Sequence, residues 1–198
     1  AFKRGLTTDI RKDVYGSYTP PTLYSIIKRN VELKLYTPDL LDWYTEEEWN
    51  QIDSFIDHEK DEEYSYAAIE QFIEKYLVRN RVTHNIVETP QVRYAVISAT
   101  AHAFEKINRL KYVKEFYADA SDTLFTLATP VCAGLGTNTK QFSSCVVMTI
   151  DDTLKSIFAT GQVMADYASK RAGIGLDVGK IRAIDAPIRN GEIAHTGL

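Results

Sequence analysis

In residues 141–147, QFSSCVV, a thiol, Cys145, follows two serines and heads a short β-branched run. A structural cysteine normally sits among apolar residues; this one has hydroxyls on one side and a strand on the other. A thiol at a strand end, not packed in hydrocarbon, suits thiol–disulfide exchange. The second cysteine, Cys132, follows Thr129 in ATPVCAG and reads as an ordinary buried thiol. A second candidate group opens the next helix, DDTLKSI. There Asp152, Thr153 and Leu154 lie beside the free backbone N–H donors of a helix start. Arg182 and Arg189 follow downstream; taken alone they read as solvated surface arginines. The lone histidine His102 falls among alanines and reads as half-buried and bonded to a neighbour.

The elements that must position these groups fall into two kinds. The first part reads as helical. Pro20 and Pro21 block a preceding helix and Thr22 can cap residues 23–31; Thr45 and Glu48 have capping-box spacing ahead of Trp49, Ile52, Phe55 and Ile56. Residues 57–64, DHEKDEEY, read as a solvated connector, and Ala67, Ala68, Phe72, Ile73 and Tyr76 as one helical stripe. Alternation in residues 76–89 predicts a small β-hairpin around Thr83-His84-Asn85; Pro90 then opens a helix, and residues 110–120 form another. From Thr129 the composition turns to Gly, Ser and Thr. The pattern there predicts loop 129–140, strand 142–150, helix 152–171, a glycine-rich turn and a strand at IRAI. Strand, helix and strand in succession predict a parallel α/β unit, with ligands expected at the strands' carboxyl ends. One such unit cannot close a sheet or bury both of its faces.

Bulk properties narrow the function. The chain has 198 residues, 44% of them hydrophobic and 25% charged, as in a soluble globular protein. A net charge of −4 offers no basic field for a nucleic acid polymer. No apolar run approaches the roughly 18 residues of a membrane span, and residues 1–16 lack the apolar core of a secretory signal. Two cysteines make no disulfide framework, which points to a reducing, cytoplasmic setting. His58, His84, His102 and His195 are scattered, without metal-ligand spacing.

The ordered set TKQFSSCVV, DDTLKSI and YASKRAGIGLDVGKIRAIDAPIRNGEIAHTG resembles the large, catalytic subunit of class I ribonucleotide reductase. The resemblance extends back through YTPPTLYSIIKRNVELKLYTPDLLDWYTEEEWNQ and is weakest before Tyr15. It implies an α/β fold. Residues 1–128 are a mainly helical N-terminal domain without the regulatory ATP cone, and residues 129–198 begin a ten-stranded α/β barrel. It implies that Cys145 is one of a redox-active cysteine pair that supplies the two reducing equivalents replacing a ribose 2′-hydroxyl by hydrogen. It further implies that Thr129, Ser144 and Gly173 bind the ribonucleoside diphosphate substrate, Gly173 through a main chain left open by its missing side chain. Asp152, Thr153, Leu154, Arg182 and Arg189 match a site for a specificity effector, a deoxynucleoside triphosphate or ATP with Mg2+. The helix 152–171, with Leu154, Ile157, Phe158, Val163, Met164 and Tyr167 spaced for a broad apolar face, matches the homodimer interface.

The family's radical-bearing cysteine, second redox cysteine and C-terminal cysteine pair match nothing up to Leu198. The chain is therefore expected to act with the remainder of the catalytic subunit, as a divided subunit, a truncated one or a segment bounded by an intein. The other implied partners are a radical-generating small subunit, which carries the metallocofactor, and thioredoxin or glutaredoxin. No metal is expected on this chain. The competing expectation is a non-catalytic module that binds nucleotide and dimerises.

Overall fold

The computed structural model describes residues 10–12, 14–170 and 172–196. They divide into two compact units after Phe142.

The first unit is helical. Helix α1, Leu23–Glu32, starts where Thr22 accepts the Ser25 N–H. After the short α2, Asp39–Trp43, helix α3, Glu46–Asp53, opens on the expected capping box of Thr45 and Glu48. Such a box satisfies two backbone donors that a helix start otherwise leaves open. Helix α4, Tyr66–Gln71, runs into a π-helical turn at Phe72–Tyr76. Helix α5, Pro90–Ala101, has proline at its first position, where the missing N–H is harmless. It is buried along nearly its whole length, so it is the centre of the unit, packed against α6, Arg109–Ser121. Leu23, Ile26, Ile27, Trp49, Ile52, Val92, Val96 and Val113 fill the space between them.

Three local expectations are corrected. Residues 57–64 are not a solvated connector: His58–Glu62 form a 310 turn that carries Asp61 into the interior, 1% exposed. Residues 129–140 are not wholly loop. Thr129–Gly134 form a short helix, α7, with Pro130 in its first turn, and they belong with the helical unit. The hairpin at 76–89 is reduced to a single antiparallel bridge, Arg79 to Ile86, with Val87 N–H on the Val78 carbonyl at 3.1 Å. His102 caps the end of α5, its Nδ1 3.0 Å from the Ser98 carbonyl oxygen, as a structural histidine does.

The second unit is a parallel β-α-β: β1, Cys145–Thr149; α8, Leu154–Ser169; β2, Gly173–Asp177. The returning strand is GIGLD, not IRAI. Helix α8 ends at Ser169, so the first extended segment after it pairs with β1, Cys145 opposite Gly173 and Thr149 opposite Asp177. Residues 181–184 then run as loop, and β3, Pro187–Ile188, pairs antiparallel with β4, Ile193–Ala194. The two-stranded parallel sheet is open at both edges among the described residues, and one of its faces stays in water: Val147 is 80% exposed, while Val146 and Met148 on the other face are half-covered.

Candidate functional site

Three of the predicted residues converge at the amino ends of β1 and β2. Cys145 is exposed and free, and begins β1. The Ser144 hydroxyl lies 3.7 Å from its Sγ, and the Ser143 hydroxyl donates to the Cys145 carbonyl at 3.1 Å. Gly173 N–H donates to the Ser144 carbonyl at 2.7 Å, which locks the two strand starts in register. A Cβ on Gly173 would meet the Ser144 carbonyl oxygen only at ordinary contact, 3.5 Å, so the fold itself does not demand glycine there. A thiol this exposed, beside a hydroxyl that can donate to sulfur, is open to exchange with a second thiol or disulfide. Cys132 is the opposite case. It is 5% exposed, its Sγ donates to the Leu127 carbonyl at 3.8 Å, and burial pushes its thiol pKa up. Thr129, the third predicted substrate contact, is in the first unit, exposed at the start of α7.

The second group gathers at the carboxyl end of β1. Thr153 caps α8, its hydroxyl accepting the Ser156 N–H at 3.1 Å, and Leu154 follows, 74% exposed. Arg182 Nε donates to Asp152 Oδ2 at 2.6 Å, and the Arg182 N–H donates to Oδ1 at 3.4 Å. Partial dehydration raises the Asp152 pKa, but these bonds outweigh it and hold the carboxyl below its usual range. Beside them Lys180 Nζ pairs with Asp151 at 2.9 Å, a contact that nothing in the sequence pattern announced. Arg189 opens the turn Arg189–Gly191; its side chain lies outside the described residues. Asp152, Thr153, Leu154 and Arg182 are thus together.

The two groups sit at opposite ends of a five-residue strand, roughly 13 Å apart at about 3.3 Å per residue. The expectation that ligands gather at the carboxyl ends therefore fits only the second group; the thiol is at the other end.

Helix α8 has no buried residue. Ile157, Met164 and Tyr167 are half-covered within the unit, whereas Leu154, Phe158 and Val163 face water. Among the described residues no cluster of His, Cys, Asp or Glu could hold a metal ion, and no helix is long and apolar enough to cross a membrane.

Comparison with known proteins accounts for both units. Residues 62–140 match the all-alpha domain of ribonucleotide reductase and residues 143–198 its barrel domain. The chain is 48% identical over 189 residues to the ribonucleoside-diphosphate reductase subunit alpha of Haemophilus influenzae, covering 95% of this chain and 25% of that protein. It is 47% identical, with the same coverage, to ribonucleoside-diphosphate reductase 1 subunit alpha of Escherichia coli. The subunit alpha of Enterobacteria phage T4 is 44% identical over 195 residues, 98% of this chain and 26% of that one. The chain thus spans about a quarter of the length of these relatives. With both units matched in order, and with sequence identity running through nearly the whole chain, it belongs to the large, alpha-subunit family of class I ribonucleotide reductases.

Proposed function

We propose that this chain works in a ribonucleoside-diphosphate reductase, contributing one redox thiol, substrate contacts and an effector site. The observation that carries the reading is Cys145: a free, exposed thiol at a strand start, 3.7 Å from a serine hydroxyl and in register with Gly173. In the reaction the substrate's 2′-hydroxyl leaves as water and hydrogen takes its place. Cys145 and a second thiol lose two electrons and two protons and end as a disulfide, which thioredoxin or glutaredoxin then reduces. Thr129, Ser144 and Gly173 hold the diphosphate substrate. A radical-generating small subunit carries the metallocofactor, which supplies the radical that starts the reaction.

Asp152, Thr153, Leu154, Arg182 and Arg189 take a deoxynucleoside triphosphate or ATP, whose Mg2+ comes with the phosphates. Arg182 suits this role because a guanidinium paired with one carboxylate keeps further donors for phosphate oxygen. The exposed side of α8, Leu154, Phe158 and Val163, supports a homodimer contact in the same region.

The test is Cys145→Ser in the assembled reductase. Deoxyribonucleotide production should be lost while effector binding and dimerisation persist. Undiminished turnover would refute the redox role and leave the alternative, a module that binds nucleotide and dimerises.

A further inference from the structure

Helix α7 has six residues, too few to hold its shape by its own hydrogen bonds. Its last carbonyls also lack intrahelical donors. One buried side chain supplies donors to two carbonyls at this end, those of Cys132 and of the cap residue Leu135. Arg93, on α5, is 0% exposed; its Nε donates to the Cys132 carbonyl at 2.7 Å and its Nη2 to the Leu135 carbonyl. Its remaining nitrogen, Nη1, faces Glu88 Oε1 at 3.5 Å, an ion pair longer than a hydrogen bond. Glu88 is itself fixed, accepting the Val78 N–H at 2.7 Å and the Tyr36 hydroxyl. The guanidinium is therefore held from behind and grips α7 by its carboxyl end, where positive charge also suits the helix dipole. Thr129 lies at the other end of the same helix, three residues before Cys132 and exposed. Thr129 and Cys132 lie within one turn, and the Cys132 N–H donates to the carbonyl of Ala128, the residue before Thr129, at 3.0 Å, which links the held end of the helix to its start.

We propose that Arg93 is a positioning residue for nucleotide binding: by fixing the Cys132 and Leu135 carbonyls it fixes Thr129 for a ribonucleoside diphosphate. The inference rests on the reading that Thr129 bonds the substrate. A fork is needed because two carbonyls three residues apart must be reached from one side chain; the single ammonium of lysine is a point charge without that span.

The test is steady-state kinetics of the assembled reductase with cytidine diphosphate as the probe. Arg93→Lys should raise KM roughly tenfold, the worth of one hydrogen bond to substrate, with kcat little changed. Val113→Ala, a core truncation on α6 that leaves Glu88, Arg93 and both carbonyl bonds in place, should lower the melting temperature and leave KM alone. In a Thr129→Ala background Arg93→Lys should add nothing to KM, since the group it positions is gone. Additive effects, or a fall in kcat with KM unchanged, would make Arg93 a merely structural residue and overturn the proposal. Should Thr129→Ala itself leave KM unchanged, the reading of Thr129 falls, and the proposal with it. If Thr129→Ala raises KM and Arg93→Lys does not, only the proposal falls. Should Arg93→Lys fail to fold, Thr137→Val gives the same decision. It removes the hydroxyl that donates to the Gly134 carbonyl at 2.8 Å, at the same end of α7. A raised KM supports the proposal and an unchanged one overturns it.

Discussion

Asp61 should make the helical unit less stable as pH rises from about 4 to 8, and Asp61→Asn should remove that dependence. The carboxyl is 1% exposed, and Gln91 approaches it without a hydrogen bond of good geometry to either oxygen. Burial pushes its pKa up to about 8, an effect that the nearby Arg11 charge and Gln91 only partly offset. In the unfolded chain the same group titrates near 3.9. Between these values the folded state keeps a proton that the unfolded state has lost, so the unfolded state gains relative to the folded one as pH rises. Asp61 contributes fully below about pH 4, and its contribution is gone once pH has passed about 8. Each pKa unit is worth about 1.4 kcal/mol, so the change from pH 4 to pH 7.5 is on the order of 4 kcal/mol, a large part of a domain's usual stability. His58, on the same turn, works in the opposite sense: burial holds its pKa down, so protonation below about pH 6.5 favours unfolding. Asp61→Asn leaves His58 in place, and the difference between the two proteins isolates the carboxyl.

Both tryptophans, Trp43 and Trp49, lie in the helical unit, so urea titrations followed by tryptophan fluorescence report its unfolding directly. The asparagine variant should match the parent, or fall slightly below it, at pH 4, because its amide needs donors and acceptors that the site supplies poorly. By pH 7.5 it should be the more stable protein by a few kcal/mol. A gap that stays constant between pH 4 and 7.5 would refute the reasoning. It would mean that Asp61 is ionised in the fold and that Arg11, not burial, sets its state.

Three further outcomes are expected. Arg182→Ala, which frees Asp152 and removes the phosphate donor proposed above, should weaken deoxynucleoside triphosphate binding roughly tenfold or more, measured by calorimetry on the assembled enzyme, without changing Cys145 reactivity. Gly136→Ala should destabilise the helical unit by about 2–4 kcal/mol in the same urea titration. The residue has φ +75°, and a new Cβ would stand 2.5 Å from Val96 Cγ1. An aromatic disulfide reagent should modify one thiol quickly in the native chain and both in denaturant, because Cys145 is exposed and Cys132 is buried. Two fast thiols would contradict the placement of Cys132.

What was legible in the sequence was local. Thr22, the Thr45–Glu48 box and Pro90 mark helix starts because each satisfies or removes backbone donors within its own turn, and all three stand where their chemistry put them. The thiol at the head of a strand was equally plain, since the polar residues beside Cys145 are its neighbours in the chain. The α7 signal was also present, with Pro130 early and Gly134 at the end, but it was masked by a composition that resembles loop. The glycines hid β2 in the same way: GIGLD reads as a turn, and it is a strand because α8 returns the chain beside β1 at that point. Asp61 and Arg93 were illegible for a deeper reason. In DHEKDEEY nothing distinguishes the one carboxylate that will be buried from its solvated neighbours; what buries it includes Gln91 on α5, 30 residues away. Arg93 sits in a helix otherwise made for a core, and its two carbonyl partners lie 39 and 42 residues on. A buried charge is a tertiary fact, set by groups that the chain brings together only on folding. In this chain one such charge holds the short helix that carries Thr129.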